Sequence, residues 1–186
     1  GEKLMKNKKG SIVAIEPSTG EILTLVSSPT FDLTLLIGRE RTSNYRMLLN
    51  DTLKPLFNRA LMAKYPPGST FKVLNALIGL QEKVVSLHET YYCDLGYYYK
   101  NIRVGCHMHP SPVNFVESIQ MSCNAYLTYM FRKIIDNRKY ELREDAYNSW
   151  RNHVVSFGFG QKFNSDFIKE NYHKSFCNPR KFISKK

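Results

Sequence analysis

Ser69 and Lys72 are the residues whose types and spacing could do chemistry. They stand in Tyr65-Pro66-Pro67-Gly68-Ser69-Thr70-Phe71-Lys72, ahead of the apolar run Val73, Leu74, Ala76, Leu77, Ile78 and Leu80. A hydroxyl and an amine three residues apart project from one face of a helix, one turn from each other. An ammonium flanked by Phe71, Val73 and Leu74 loses solvation on burial, so its pKa falls and the free amine can take a proton from the hydroxyl. Ser69 is the candidate nucleophile and Lys72 its candidate base. The spacing alone does not decide this, because fifteen serines and seventeen lysines give about one Ser-x-x-Lys match by chance. Context carries the weight against the bland alternative, in which Ser69 is an N-cap and Lys72 a snorkelling lysine.

A second constellation, Ser122-Cys123-Asn124, lies between apolar helical stretches at 115–121 and 125–135. A polar loop between two buried helices can present a hydroxyl and an amide to a cleft. Cys123 has no flanking His, Lys or Arg to stabilise a thiolate and reads as a small apolar filler. A third group, Cys93, Cys106, His107 and His109, gathers in an aromatic, turn-rich stretch with Tyr91, Tyr92, Tyr97, Tyr98 and Tyr99. Thiolates and imidazoles at this spacing suit tetrahedral zinc, a Cys93 to Cys106 disulfide suits an oxidising compartment, and free thiols with unligated histidines are the third option.

These residues need elements to hold them. Pro66-Pro67-Gly68 forces a tight turn, and Ser69 then opens a helix apolar on nearly every side, the pattern of a buried helix. Residues 11–15 and 21–26 read as two strands joined by a turn at 17–20. The stretch 27–64 reads as loops with short helices. Asn114 and Glu117 have capping-box spacing and predict a helix running to the Ser122 loop. Tyr147, Trp150, Val154 and Phe157 predict an amphipathic helix closed by Gly158, with Trp150 in the core.

Pro-Pro-Gly-Ser-Thr-Phe-Lys at 66–72 followed by Ser-Cys-Asn at 122–124 resembles the transpeptidase domain of class B penicillin-binding proteins of the elongation type. The resemblance extends to Gly10-Ser11-Ile12-Val13-Ala14-Ile15-Glu16-Pro17-Ser18-Thr19-Gly20-Glu21-Ile22-Leu23, to Pro55-Leu56-Phe57-Asn58-Arg59-Ala60 and to Phe157-Gly158-Phe159-Gly160. It implies an α+β fold of the penicillin-binding transpeptidase and serine β-lactamase type, an antiparallel sheet with helices on both sides. It also implies a serine acyl-enzyme formed on peptidoglycan stem peptides ending in D-alanyl-D-alanine, passed to a neighbouring amine as a cross-link, and trapped by β-lactams. Ser69 would attack, Lys72 would be general base, Ser122 a hydroxyl relay, and Asn124 a donor to the substrate backbone. No cofactor is implied. The implied setting is the periplasmic face of the inner membrane, among the membrane proteins of the elongation complex.

One departure stands out. The family's third motif, Lys-Ser/Thr-Gly, has no match, because Lys174-Ser175 is followed by Phe176. In the family that strand binds the substrate carboxylate and gives one oxyanion-hole amide; loss of one such donor can cost roughly 10² to 10³ in rate. The sequence therefore reads as a domain incomplete at its C-terminus and poorly active, with a basic boundary at 1–10, a partial transpeptidase domain at 11–162 and a divergent tail at 163–186. A carboxypeptidase or β-lactamase-like hydrolase, or a non-catalytic interaction module, are the competing readings.

At 186 residues the chain suits one domain with a real core. No stretch reaches 18 apolar residues, and the charged start carries no signal-peptide h-region. A net charge of +11 could advertise nucleic acid, yet the basic residues are dispersed and no nucleic-acid motif accompanies them. Nucleic acid is excluded as a partner on that ground.

Overall fold

The computed structural model describes residues 1–161. Expectations for the tail at 163–186, Lys174 and Ser175 included, lie outside the described residues. Two compact units divide the rest, Gly1–Tyr65 and 66–161.

The first unit opens with a short helix α1 (Glu2–Met5) and the expected hairpin, β1 (Gly10–Ile15) and β2 (Ile22–Ser28). The strands pair antiparallel from Gly10 opposite Ser28 to Ile15 opposite Ile22, with a register shift beside Ala14. Gly20 closes the turn at φ +79°, donating its N–H to the Glu16 carbonyl at 2.8 Å, a backbone conformation that glycine adopts without strain. The stretch 27–64 holds more helix than its composition suggests. A 3₁₀ turn at Leu33–Leu36 is followed by the ten-residue α2 (Arg41–Asn50) and by α3 (Arg59–Met62). Only Leu48 of α2 is buried, while Tyr45, Met47 and Leu49 are exposed, so this helix has no apolar stripe for a periodicity argument to find. Buried Arg59 donates to the carbonyls of Leu53, Lys54 and Phe57.

Among the described residues the second unit holds four α-helices. A 3₁₀ turn, Gly68–Thr70, leads into α4 (Phe71–Gln81). A second hairpin, β3 (Gly96–Tyr99) and β4 (Ile102–Gly105), follows. It occupies the tyrosine-rich stretch read above only as turns, because its period is obscured by three consecutive tyrosines. Then come α5 (Phe115–Gln120), α6 (Asn124–Ile135) and α7 (Arg143–Ser156). Helices and antiparallel ladders together make the expected α+β fold.

Two clusters form the core of this unit. Ala76, Val85, Phe115, Tyr126, Leu127 and Met130 pack with Cys93 and Cys123, and Leu74 and Ile78 pack with Ile134, Trp150 and Val154. Trp150 is a core residue as expected, and its indole N–H donates to Asn75 Oδ1 at 2.8 Å. Two expectations are corrected. Helix α4 is not buried all round: Val73 and Leu77 are 48% and 49% exposed, because α6 and α7 cover the side that carries Leu74 and Ile78. Phe157 lies past the last turn of α7 and is exposed, while Gly158 turns the chain at φ +90°.

Candidate active site

Ser69 sits in the middle of the 3₁₀ turn, one residue before the N-cap of α4, and is exposed. Its hydroxyl takes no hydrogen bond among the described residues. Neither Ser69 nor Thr70 caps α4 with a side chain, and the Thr70 hydroxyl is used on the Pro67 carbonyl at 2.6 Å. The Ser69 oxygen is thus open to a reacting partner at the start of an eleven-residue helix, whose dipole favours developing negative charge there.

Lys72 leaves α4 on the side of the Ser122 loop. Its ammonium donates to the Ser122 carbonyl at 2.7 Å, to Ser122 Oγ at 3.0 Å and to Asn124 Oδ1 at 2.5 Å. Three acceptors match the three N–H bonds of an ammonium. Burial lowers the Lys72 pKa, and the charges of Cys106 and Cys123 oppose that fall. The direction is the one expected from its apolar neighbours, with a polar cradle that sequence could not show. The structure therefore brings Lys72, Ser122 and Asn124 together, and leaves Ser69 one turn away without a direct bond to the amine.

The Ser122 loop is as tightly specified as its three residues allow. Helix α5 starts with the predicted capping box, in which the Glu117 N–H donates to Asn114 Oδ1 and the Asn114 N–H to Glu117 Oε2. It ends at Gln120 with Met121 as its C-cap, and Ser122 then adopts φ +51°, a left-handed conformation costing a non-glycine residue about 1 kcal/mol. Its carbonyl and hydroxyl meet Lys72 in this conformation. Asn124 opens α6, and its amide is oriented without ambiguity. Lys72 requires the oxygen side, and Nδ2 donates to the Gly105 carbonyl at 2.9 Å.

Beside this site lies a thiol cluster that differs from the one expected. Cys93, Cys106, Cys123 and His109 place their ligand atoms within 4.8 Å of one another. His107 is outside it, exposed and stacked edge-on against His109. Cys123 takes its place. That residue is fully buried, as a filler would be, but its sulfur also accepts from the Tyr126 N–H at 3.3 Å and lies 3.9 Å from Cys106 Sγ. The expected disulfide is not formed; Cys93, Cys106 and Cys123 are all free. The sequence signal for Cys123 was its place as the next cysteine after Cys106, outweighed by its lack of charged neighbours.

The cluster divides its protons unevenly. Burial opposes ionisation of Cys106, but the N–H groups of Ala125 and Asn124 and the His109 ring bring its pKa down to about 6. Burial pushes Cys123 up to about 12 and raises Cys93 as well. His109 is raised by its bond to the Pro110 carbonyl. That carbonyl can only accept, at 2.7 Å from Nδ1, so Nδ1 carries the hydrogen. Nε2 faces Cys106 Sγ at 3.5 Å. Asn124 joins cluster and site, because its own N–H donates to Cys106 Sγ at 3.2 Å.

The two motif loops and the helices behind them agree with a match to the penicillin binding protein transpeptidase domain, which covers residues 10–178. The chain belongs to the penicillin-binding protein transpeptidase family. It is 36% identical over 171 residues to the peptidoglycan D,D-transpeptidase MrdA of Acinetobacter baumannii, covering 89% of this chain and 24% of that protein. Among solved structures, Pseudomonas aeruginosa PBP2 in complex with WCK 5153 superposes with a TM-score of 0.73 at 30% identity, over 92% of this chain and 37% of that one. The imipenem acyl-enzyme complex of penicillin-binding protein A from Mycobacterium tuberculosis gives a TM-score of 0.72 at 27% identity, over 88% and 37%. The chain thus spans about a quarter of the length of the curated relative. Among the described residues no helix is long and apolar enough to cross a membrane.

Proposed function

We propose that this chain carries the acylation site of an elongation-type peptidoglycan D,D-transpeptidase, with Ser69 as nucleophile. One observation carries the reading: Lys72, one turn after Ser69, is bonded to both Ser122 and Asn124, which unites two motifs separated by 50 positions. Ser69 Oγ attacks the carbonyl carbon of the penultimate D-alanine of a stem peptide, and its proton passes to the Lys72 amine. Burial makes the required neutral amine accessible, and Ser122 Oγ, 3.0 Å from Nζ, offers the path by which that proton reaches the departing D-alanine nitrogen. The C–N bond breaks and an ester to Ser69 remains. An amine of a neighbouring stem attacks the ester, releases Ser69 and completes the cross-link. Asn124 keeps a second Nδ2 hydrogen beyond its bond to Gly105, which is available to a substrate carbonyl. The same likeness supports β-lactam acylation of Ser69, a periplasmic setting and partners among elongation-complex membrane proteins.

Intact mass after incubation with benzylpenicillin tests the reading. A one-to-one adduct located on Ser69 and missing from Ser69→Ala supports it; a folded protein that takes no adduct refutes it.

The thiol cluster supports a second proposal, a structural zinc site of Cys93, Cys106, Cys123 and His109. Thiolates on a tetrahedral zinc lie about 3.8 Å apart, close to the 3.9 Å between Cys106 and Cys123. The fixed Nδ1–H of His109 leaves Nε2 as the ligand, and its carbonyl partner is the usual support of a metal-bound histidine. Bound zinc would supply a cross-link between the β3–β4 hairpin and the start of α6. Reduced protein dialysed against zinc should retain one equivalent by elemental analysis; none retained, with His109→Ala no different, removes the proposal.

A further inference from the structure

The zinc proposal leaves open what Cys93, Cys106 and Cys123 do when no metal is bound, and the geometry of the sulfurs bears on that. Cys106 and Cys123 are 3.9 Å apart at sulfur, roughly 2 Å longer than a disulfide bond, a gap that rotation of the two side chains can close. Their accessibility differs. Cys106 follows the end of β4 and is partly exposed, whereas Cys123 is fully buried at the N-cap of α6. An incoming reagent therefore meets Cys106 first, with Cys123 behind it.

We propose that Cys106 and Cys123 form a thiol–disulfide exchange site that takes a low-molecular-weight disulfide as oxidant and unseats the Ser122–Asn124 loop when oxidised. Cys106 attacks one sulfur of the oxidant, its proton leaving with the released thiol, and a mixed disulfide forms. Cys123 then attacks the Cys106 sulfur, expels the second thiol and closes the Cys106–Cys123 bond. Two protein thiols are oxidised and one external disulfide is reduced to two thiols, so electrons and protons balance.

The bond would be felt at Lys72. In the reduced protein Cys106 Sγ accepts from the Asn124 N–H at 3.2 Å, and Cys123 Sγ accepts from the Tyr126 N–H at 3.3 Å. These two contacts seat the first turn of α6. Drawing the sulfurs together pulls both off their donors. Asn124 moves with its backbone, and Asn124 Oδ1 and the two Ser122 oxygens are the acceptors that hold the Lys72 ammonium. Oxidation therefore disperses the base and its relay without altering either residue. Bound zinc would occupy the same sulfurs and protect them.

The experiment uses full-length protein, reduced, stripped of metal with a chelator and then exposed to oxidised glutathione. Peptide mapping without reductant should find Cys106 joined to Cys123, with a loss of about two mass units per chain. Cys93→Ser should give the same cross-link. A cross-link to Cys93, or a glutathione adduct that persists on Cys106, overturns the proposal. Labelling by a fluorescent penicillin should fall at least about tenfold in the cross-linked protein, as misplacement of a catalytic group near 1 Å can do, and recover with dithiothreitol. Unchanged labelling of cross-linked protein refutes the coupling to the loop. Failure of the other readings is separable: reduced protein that never labels removes the Ser69 assignment, and a negative zinc assay removes the metal site, while the map still decides the exchange.

Discussion

Lys72 Nζ lies 2.5 Å from Asn124 Oδ1, a charge-assisted bond that ties the helix behind Ser69 to the start of α6. Removing one acceptor of this half-buried ammonium costs about 1.5–3 kcal/mol. Asn124→Ala should therefore slow penicillin acylation by about tenfold to a hundredfold. Stopped-flow labelling beside a thermal melt checks this; a rate within twofold of wild type, from protein with an unchanged melt, contradicts the role given to Asn124.

Much of this arrangement was legible in the sequence, and the reasons are local. Pro66-Pro67-Gly68, the capping box at Asn114 and Glu117, and the turn at 17–20 act over four or five residues, so their chemistry is written in adjacent letters. The fall of the Lys72 pKa followed from its apolar neighbours. What escaped was set by contacts between distant residues. The exchange of His107 for Cys123 depends on β4 delivering Cys106 to the N-terminus of α6, and no spacing rule carries that. Within the loops and short helices expected at 27–64, α2 had no apolar stripe to mark it, because only Leu48 of its residues is buried. The exposure of Val73 and Leu77 shows the limit of reading burial from composition, since an apolar helix is buried only where another element covers it.

Trp150 is 7% exposed, and its N–H bonds Asn75 Oδ1, so packing and polarity can be separated there. Trp150→Ala should destabilise by about 3–5 kcal/mol. Trp150→Phe keeps most of the packing but leaves the Asn75 oxygen without its donor, an effect of about 1–3 kcal/mol. Urea unfolding of both variants would show the order; a phenylalanine variant as damaging as the alanine one would mean that the hydrogen bond dominates.

Gly79 lies in α4 against α6, where an added Cβ would come within 2.9 Å of Met130 Sδ and 3.3 Å of Val85 Cγ2. Alanine gains about 1 kcal/mol in helix propensity, but overpacking costs about 1–3 kcal/mol, and Met130 is fully buried with no room to swing away. Gly79→Ala should be destabilising on balance. Combining it with Met130→Ala should recover part of the loss relative to the sum of the single changes, as a double-mutant cycle in urea would show.

Glu82, 5% exposed at its side chain, binds His153 at 2.8 Å and also meets Ser149, Tyr140 and Lys139. Burial raises its pKa, but bonds from His153, Ser149 and Tyr140 and the Lys139 charge outweigh that and leave it lowered. A carboxyl lowered on folding contributes stability that is fully present above its unfolded pKa, about 4.3, and is lost as pH falls through the folded value. The stability difference between wild type and Glu82→Gln should therefore be constant from about pH 6 to 7 and shrink below about pH 4.5. Urea midpoints across that range test the sign, and a difference that grows on acidification would reverse it.

Ser122 combines a left-handed backbone, φ +51°, with a hydroxyl 3.0 Å from Lys72 Nζ, and two substitutions separate these features. Ser122→Ala removes the hydroxyl and keeps the strain. Ser122→Gly removes the hydroxyl too, but relieves a conformation that costs a side-chain-bearing residue about 1 kcal/mol; the freer unfolded chain returns part of that gain. If Oγ relays the proton, both variants should lose penicillin acylation to a similar degree, about a hundredfold, while the glycine variant melts no lower than the alanine one. The backbone carbonyl still binds Lys72 in either variant, so loss of the lysine anchor does not account for the fall. A glycine variant that acylates at the wild-type rate would assign the loop's role to its backbone carbonyl and remove the hydroxyl from the mechanism.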